Sequence, residues 1–275
     1  MLLLRINAIK IVLNMYLNRL KNSRSEAFME LLPVKWFDKL DSTNTYLKEA
    51  LNSGTRPRNG TVIAAKEQTA GRGRNSRIWS QAPGQDIAMS IFMNLDVCPM
   101  KILPLPLIMG LAVKQVLENY GVHARLKWPN DLLVMGHKIC GILMETQTAP
   151  DKTLDVIIGI GLNVNMTQQQ AGQIDKPATS MQIVTGERFD VTEVLENMIA
   201  SVNYYVNCWL DKGFDELRKQ WLVSTDDIGA PVSVEQIGHP RLVGAIASIG
   251  DRGQLVIKNP AGELQEVWAG DVCRI

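Results

Sequence analysis

One segment constrains the fold more than any other: Leu154-Asp-Val-Ile-Ile-Gly-Ile-Gly-Leu162 is mostly apolar, largely β-branched and has no helical period. Side chains of a strand alternate between its two faces, so a run apolar at nearly every position reads as a strand buried on both. It ends at Asn163. With 275 residues, 46% of them hydrophobic, the chain has enough apolar mass to cover such a strand and to build a second, smaller unit.

Helices to cover it are legible. Asp41-Ser-Thr-Asn44 offers N-cap side chains ahead of Tyr46, Leu47, Ala50 and Leu51, which recur at helical spacing until Asn52-Ser-Gly stops the run. Pro104 and Pro106 open a second helix through Leu111, Val113, Val116 and Leu117, which Gly121 ends. Asp190 with Glu193 matches a capping box, followed by Val191, Leu195, Met198, Val202, Val206 and Trp209 on one helical face.

Further strands flank these helices. Residues 61–65 and 86–93 read as strands around a polar segment, 66–85, that has no apolar period and is expected to be a loop. Arg125-Leu-Lys-Trp128, Asp131-Leu-Leu-Val134 and Ile139-Cys-Gly-Ile-Leu-Met-Glu145 follow, the last two joined at Met135-Gly-His137 in a hairpin that brings Asn130 and Asp131 towards Gly141. After Ser224-Thr-Asp-Asp227 come short β-like runs at 231–235, 242–249, 254–258 and 264–268, separated by turns. The expectation is an α+β chain: a helical appendage at 1–32, a mixed β-sheet with helices packed on it at 33–225, and a small β-barrel at 226–275.

Charge and cysteine usage narrow the function classes. Lys+Arg of 29 against Asp+Glu of 28 leaves a formal charge of +1, so no global field draws the chain to nucleic acid or anionic lipid, and any anion site must be local. Cys98, Cys140, Cys208 and Cys273 lie far apart with no C-x-x-C pair, which argues against structural zinc and a disulfide framework and fits a reducing cytoplasm. Residues 1–20 are apolar but broken by Arg5, Asn7, Lys10, Asn14, Asn18 and Arg19; an amphipathic helix is favoured over an export signal or a membrane span.

The chemistry concentrates in Gly71-Arg-Gly-Arg-Asn-Ser-Arg-Ile-Trp79, where three guanidiniums and two glycines fall within nine residues. Glycine lets the backbone approach a ligand, and each arginine presents a fork of donors to phosphate or carboxylate. The Walker and dinucleotide glycine patterns do not fit, and an exposed arginine-rich loop touching RNA is the competing interpretation of this segment alone. Lys127-Trp-Pro-Asn-Asp131 adds a compact polar cluster, and Lys138 opens the neighbouring strand. Taken singly, Pro-Asn-Asp is ordinary turn chemistry and a lone lysine is usually a solvated one.

These motifs, Gly71-Arg-Gly-Arg-x-x-Arg-x-Trp79, Lys127-Trp-Pro-Asn-Asp131 and Lys138-x-x-Gly-Ile-Leu143, stand in the order typical of biotin protein ligases. Asp41-Ser-Thr-Asn44 upstream and Gly159-x-Gly-x-Asn163 downstream resemble that family too, so the likeness runs from about Val34 to Asn165 and loosely into the C-terminal barrel. The resemblance implies a catalytic domain similar to class II aminoacyl-tRNA synthetases with an SH3-like barrel behind it. It also implies a two-step reaction: ATP activates biotin to biotinyl-5′-AMP and pyrophosphate, and biotin then passes to a lysine on the biotin carboxyl carrier protein of a carboxylase such as acetyl-CoA carboxylase. The residue inventory agrees, since His123, His137 and His239 lie outside the motifs and no nucleophile–base pair is visible.

By resemblance, Ser42, Thr43, Asn44 and Gln68 belong to the biotin pocket, with Gly73 and Gly141 beside them; Ser42 or Thr43 also reads as the helix N-cap. Arg72 and Arg74 would close over the biotin carboxylate and α-phosphate, and Lys138 would hold the oxygens between them. Arg77, Trp79, Asn130 and Asn163 would meet the nucleotide, and Asp131 would help to hold Mg²⁺. The 66–85 loop is expected to order around the bound intermediate as a lid. With so short a stretch before the catalytic motifs and no basic field, binding of operator DNA is not expected. A homodimer is compatible with the sequence. Two rival functions remain, a biotin sensor without catalysis and a lipoate or octanoate ligase.

Overall fold

The computed structural model describes residues 29–275, and the helix read at 1–20 lies outside the described residues. The last of the expected appendage is docked. Met29 is 5% exposed, and its backbone N–H and carbonyl both bond the side-chain amide of Asn207, each at 2.8 Å.

Seven strands form the main sheet: β1 (Lys35–Leu40), β2 (Val62–Gln68), β3 (Ile87–Leu95), β4 (Arg125–Lys127), β5 (Asp131–Val134), β6 (His137–Thr148) and β7 (Leu154–Leu162), in the order β1-β2-β3-β7-β6-β5-β4. The β1–β2 pair is parallel and the others are antiparallel, so the sheet is mixed. β7 sits in the middle, as its two-sided apolar pattern requires. Its residues Val156, Ile158, Ile160 and Leu162 enter the main core together with helix α2 (Leu105–Asn119) and the long helix that follows later in the chain. Ile157 points to the other face, where helix α1 (Thr43–Asn52) lays Leu47 against Ile63, Phe92 and Ile157. The stretch Pro99–Asn119 has the length and composition of a membrane span, yet 67% of its apolar window is buried in this core.

After β7 come two short helices, α3 (Gln168–Ala171) and α4 (Met181–Thr185), then α5 (Val191–Lys212) and α6 (Asp215–Val223). The N-cap of α5 falls where the sequence puts it, and of the expected capping box this half is formed: the Asp190 carboxylate accepts the N–H groups of Thr192 and Glu193, two donors that no helical carbonyl can satisfy. The β5–β6 hairpin turns at Met135 and Gly136, both at positive φ (49° and 83°), and places Asp131 opposite Gly141.

The C-terminal residues form a five-stranded antiparallel sheet in the order β11-β10-β9-β8-β12, with β8 (Pro231–Glu235), β9 (Leu242–Ile249), β10 (Leu255–Lys258), β11 (Leu264–Val267) and β12 (Asp271–Arg274). Four of these strands match the sequence expectation, and β12 is an addition. Val232, Val234, Ile249, Leu255 and Ile257 belong to the same continuous apolar cluster as α2 and α6. Hydrogen bonds fix the small sheet further, from Trp128 Nε1 to the Gly253 carbonyl (2.9 Å) and from Arg218 on α6 to the Ile249 carbonyl (3.1 Å).

Candidate active site

The cleft lies on the α1 face of the large sheet, beyond the end of that helix's cover. There the strands carry almost no side chains: Gly141, Gly161 and Ala88 form one cross-strand row, and Leu143, Gly159 and Ser90 form the next. A trough of about 700 Å³ results. Glycine is needed because side chains rest directly on the backbone. A methyl at Gly161 would come within 2.3 Å of the Trp79 ring, one at Gly141 within 2.9 Å of that ring, and one at Gly159 within 2.4 Å of Asn44 Oδ1.

One end of the trough is neutral and rich in hydrogen bonds. Ser42, Thr43 and Asn44 are each 3% exposed at the start of α1. Ser42 occupies the N-cap position, but its side chain makes no capping bond, so the hydroxyl is not spent on the helix. Thr43 N–H donates to Gln68 Oε1 (2.8 Å), and Ser90 Oγ stands 2.7 Å from Thr43 Oγ1 and 2.6 Å from Asn44 Oδ1. Asn44 Nδ2 donates to Glu145 at 3.0 Å.

The other end is cationic. Lys138 Nζ is 2.6 Å from Asp131 and 5.6 Å from the centroid of the Trp79 ring, whose Nε1–H is buried without a partner. Arg74 donates to Asn130 Oδ1 and to the Gly270 carbonyl, both at 3.1 Å; burial pulls its pKa below the usual guanidinium value, against the pull of Asp271 and Asp131. Arg77 is paired with Asp271, and that bond raises the arginine's pKa. Burial opposes the Asp271 charge, but the bond and the charges of Arg77, Arg74 and Lys176 outweigh it and hold the carboxyl below its ordinary value. Arg72 is set apart from these, beside the hydrogen-bonding end, where it pairs with the Glu145 carboxylate that also holds Asn44.

The arginine segment itself is a folded loop. Trp79 N–H donates to the Gly71 carbonyl (2.9 Å) and Gly73 N–H to that of Arg77 (2.8 Å), around a tight turn at Arg74–Ser76 in which Asn75 and Ser76 take positive φ of 53° and 58°. Asn163 is 2% exposed and donates from its amide to the carbonyls of Thr179 (2.9 Å) and Lys138 (3.5 Å), and its buried Oδ1, like Trp79 Nε1, has no partner.

Every site residue expected from sequence lines this one cleft: Ser42, Thr43, Asn44, Gln68, Arg72, Gly73, Arg74, Arg77, Trp79, Asn130, Asp131, Lys138, Gly141 and Asn163. Sequence reasoning missed Ser90, Glu145 and Asp271. Ser90 and Glu145 fall in step with Ala88 and with Gly141 at the two-residue period of their strands, a signal that was available. Asp271 comes from the far end of the chain and carries none.

A mixed α+β sheet whose glycine-rich trough joins a hydrogen-bonding pocket to a lysine and three arginines has the chemistry to take a polar-headed small molecule together with anionic groups. Comparison with known proteins narrows this. Residues 36–163 match the model of the biotin/lipoate A/B protein ligase family. The biotin–[acetyl-CoA-carboxylase] ligase of Paracoccus denitrificans is 32% identical over 239 residues, covering 84% of this chain and 96% of that protein. The bifunctional ligase/repressor BirA of Bacillus subtilis is 30% identical, covering 86% and 72% respectively. Among solved structures, the biotin protein ligase from Aquifex aeolicus in complex with biotin and ATP matches with a TM-score of 0.75 at 27% identity, over 88% of this chain and 99% of that one. The chain belongs to the biotin/lipoate A/B protein ligase family, as a member of its biotin protein ligases.

Proposed function

We propose that the protein is a biotin protein ligase. It joins biotin to ATP, a biotin carboxylate oxygen attacking the α-phosphorus to give biotinyl-5′-AMP as pyrophosphate leaves. A lysine amine of a biotin carboxyl carrier domain then attacks the acyl carbon, forming an amide and releasing AMP. The observation that carries this assignment is the trough itself: a hydrogen-bonding head pocket, a glycine-rich floor on which the Trp79 ring lies, and a cationic end, which suits a molecule with a polar ring, an apolar arm and a carboxylate.

The residues divide accordingly. Ser42, Thr43, Asn44 and Gln68 take the ureido ring, and Gly73 and Gly141 allow close approach along the arm. Arg72, Arg74 and Lys138 surround the carboxylate and α-phosphate, where two anions must be brought together; positioning and charge neutralisation supply the catalysis. Arg77, Trp79, Asn130 and Asn163 Oδ1 face the nucleotide. Mg²⁺ arrives with the triphosphate. Asp131 lines the cleft with its carboxylate shared with Lys138 at 2.6 Å, and it would offer one oxygen to an ion carried in by the nucleotide, which would help to neutralise the phosphates.

Finer features follow the same assignment: a class II synthetase-like catalytic domain at 33–225 and an SH3-like barrel at 226–275, acting in the cytoplasm and compatible with a homodimer. The formal charge of +1 supports action without DNA, and specific retardation of an operator fragment by biotin-loaded protein would contradict that. The deciding experiment incubates the protein with ATP, Mg²⁺, an acceptor domain and either biotin or lipoate, read by intact mass. Addition of biotin alone is expected. Addition of lipoate alone, or of neither, would overturn the assignment.

A further inference from the structure

Glu145 lies on β6 opposite Ile157, two residues beyond Leu143 and on the same face, with its side chain 19% exposed. Its carboxylate takes donors from three residues: Asn44 Nδ2 at 3.0 Å, the two terminal nitrogens of Arg72 at 3.0 and 3.3 Å, and Lys48 Nζ at 3.4 Å. An ionised carboxylate can only accept. Burial works against that charge, but the Asn44 bond and the Arg72 and Lys48 charges outweigh it and hold Glu145 below its ordinary value.

A consequence runs inward from this carboxylate. With Asn44 Nδ2 committed to Glu145, and 3.4 Å from the Leu143 carbonyl, the amide has one orientation, and Oδ1 faces Ser90 at 2.6 Å. That oxygen cannot donate, so the Ser90 hydroxyl proton must point to it. Ser90 is then left to accept from Thr43 at 2.7 Å, the shorter of that hydroxyl's two contacts, the other being Gln68 Oε1 at 3.2 Å. Protons therefore run in one direction, from Thr43 to Ser90 to Asn44 to Glu145, and the chain offers the trough oxygen lone pairs.

We propose that Glu145 is a positioning and specificity-determining residue: as the acceptor-only end of this chain, it fixes the direction of the protons and makes the head pocket select a ring that brings N–H donors. This rests on the biotin ligase assignment, because the ureido ring of biotin carries two such donors and a dithiolane ring carries none. A glutamine at this position is isosteric but presents an NH₂ that lets the chain reverse. Asn44 would then accept from it, and donors would face donors in the pocket.

The test begins with wild-type protein in biotin-dependent ATP–pyrophosphate exchange, where absence of exchange would refute the ligase assignment itself. In Glu145→Gln the KM for biotin rises about tenfold or more, the usual scale for a mispaired buried polar group, while the KM for ATP changes less than about twofold. The penalty for biotin methylated on a ureido nitrogen, measured as a KM ratio to biotin, shrinks in the same variant, which a merely structural defect would not cause. Glu145→Asp keeps an acceptor-only group and stays within about threefold of wild type, and Lys48→Met, which removes a partner at an exposed site, leaves biotin KM unchanged. An active wild type with biotin KM unaltered in Glu145→Gln, or an undiminished methylation penalty, would overturn the role of Glu145 alone. Should Glu145→Gln fail to fold, a crystal structure of the wild type with biotin decides: a ureido nitrogen within about 3.2 Å of an oxygen of Thr43, Ser90 or Asn44 is expected, and ureido N–H groups paired elsewhere refute it.

Discussion

Replacing Lys138 by alanine separates the chemistry of the cleft from its stability. The ammonium is 2.6 Å from Asp131, with the two side chains 33% and 24% exposed, so their mutual attraction is partly screened and worth at most about 1 kcal/mol. For a chain of this size that is roughly 2–4 °C in melting temperature. Its effect on adenylation is larger. At about 4 Å from charge developing on the phosphate, in an effective dielectric of about 20, a unit charge contributes about 4 kcal/mol, close to three decades in rate, in line with the roughly 10²–10³-fold cost of deleting one electrostatic donor. Biotin-dependent exchange of labelled pyrophosphate into ATP, with both substrates saturating, reads the first quantity, and scanning calorimetry reads the second. Lys138→Ala is expected to lose about three decades of exchange and almost no stability. Lys138→Arg recovers part of the rate, because a planar fork replaces a point charge. An exchange rate within tenfold of wild type, or a melting temperature lowered by more than about 10 °C, would show that this lysine supports the fold and not the reaction.

Other substitutions probe the trough and its lid. Gly161→Ala places a methyl 2.3 Å from the Trp79 ring, so the ring must move; overpacking of about 1–3 kcal/mol is expected, with altered tryptophan fluorescence and a raised biotin KM, and an unchanged KM would show that ligand does not use this floor. Asp271→Asn frees Arg77 and should speed hydrogen exchange in residues 72–79 at pH 7; equal exchange in both proteins would show that this ion pair does not hold the loop. The Asp271 carboxyl is held below its ordinary value, so its contribution is complete above the unfolded carboxylate value near pH 4 and is lost as pH falls through the depressed one; exchange in 72–79 should therefore rise only in strong acid. Biotin with MgATP should slow proteolysis within 66–85, and cleavage equally fast with and without ligands would end the lid proposal.

Much of the site is legible in the chain because its motifs are local. Gly71 to Trp79 declares an anion site through residue type, and the hairpin at Met135 and Gly136 brings Asp131 to Gly141 through turn chemistry alone. Elements with little pattern stayed hidden. β12 is four residues long with one buried apolar side chain, Val272, and β1, Lys-Trp-Phe-Asp-Lys-Leu, is an edge strand with no fully buried residue, so neither shows the alternation that marks a half-buried strand.

The sequence by itself determined that β7 is buried on both faces, that glycines interrupt its end, and that cationic and amide side chains gather in a few short motifs. Only the tertiary structure decided that Gly159 and Gly161 turn to the side α1 leaves open, that Ser90 and Glu145 stand behind Thr43 and Asn44, and that Asp271 joins the cleft's lining. The physical reason is that a two-residue period assigns a residue to a face without naming what lies across it. That neighbour is chosen by packing between segments up to about two hundred residues apart, as with Arg77 and Asp271, and the work a charge or an amide can do depends on the neighbour.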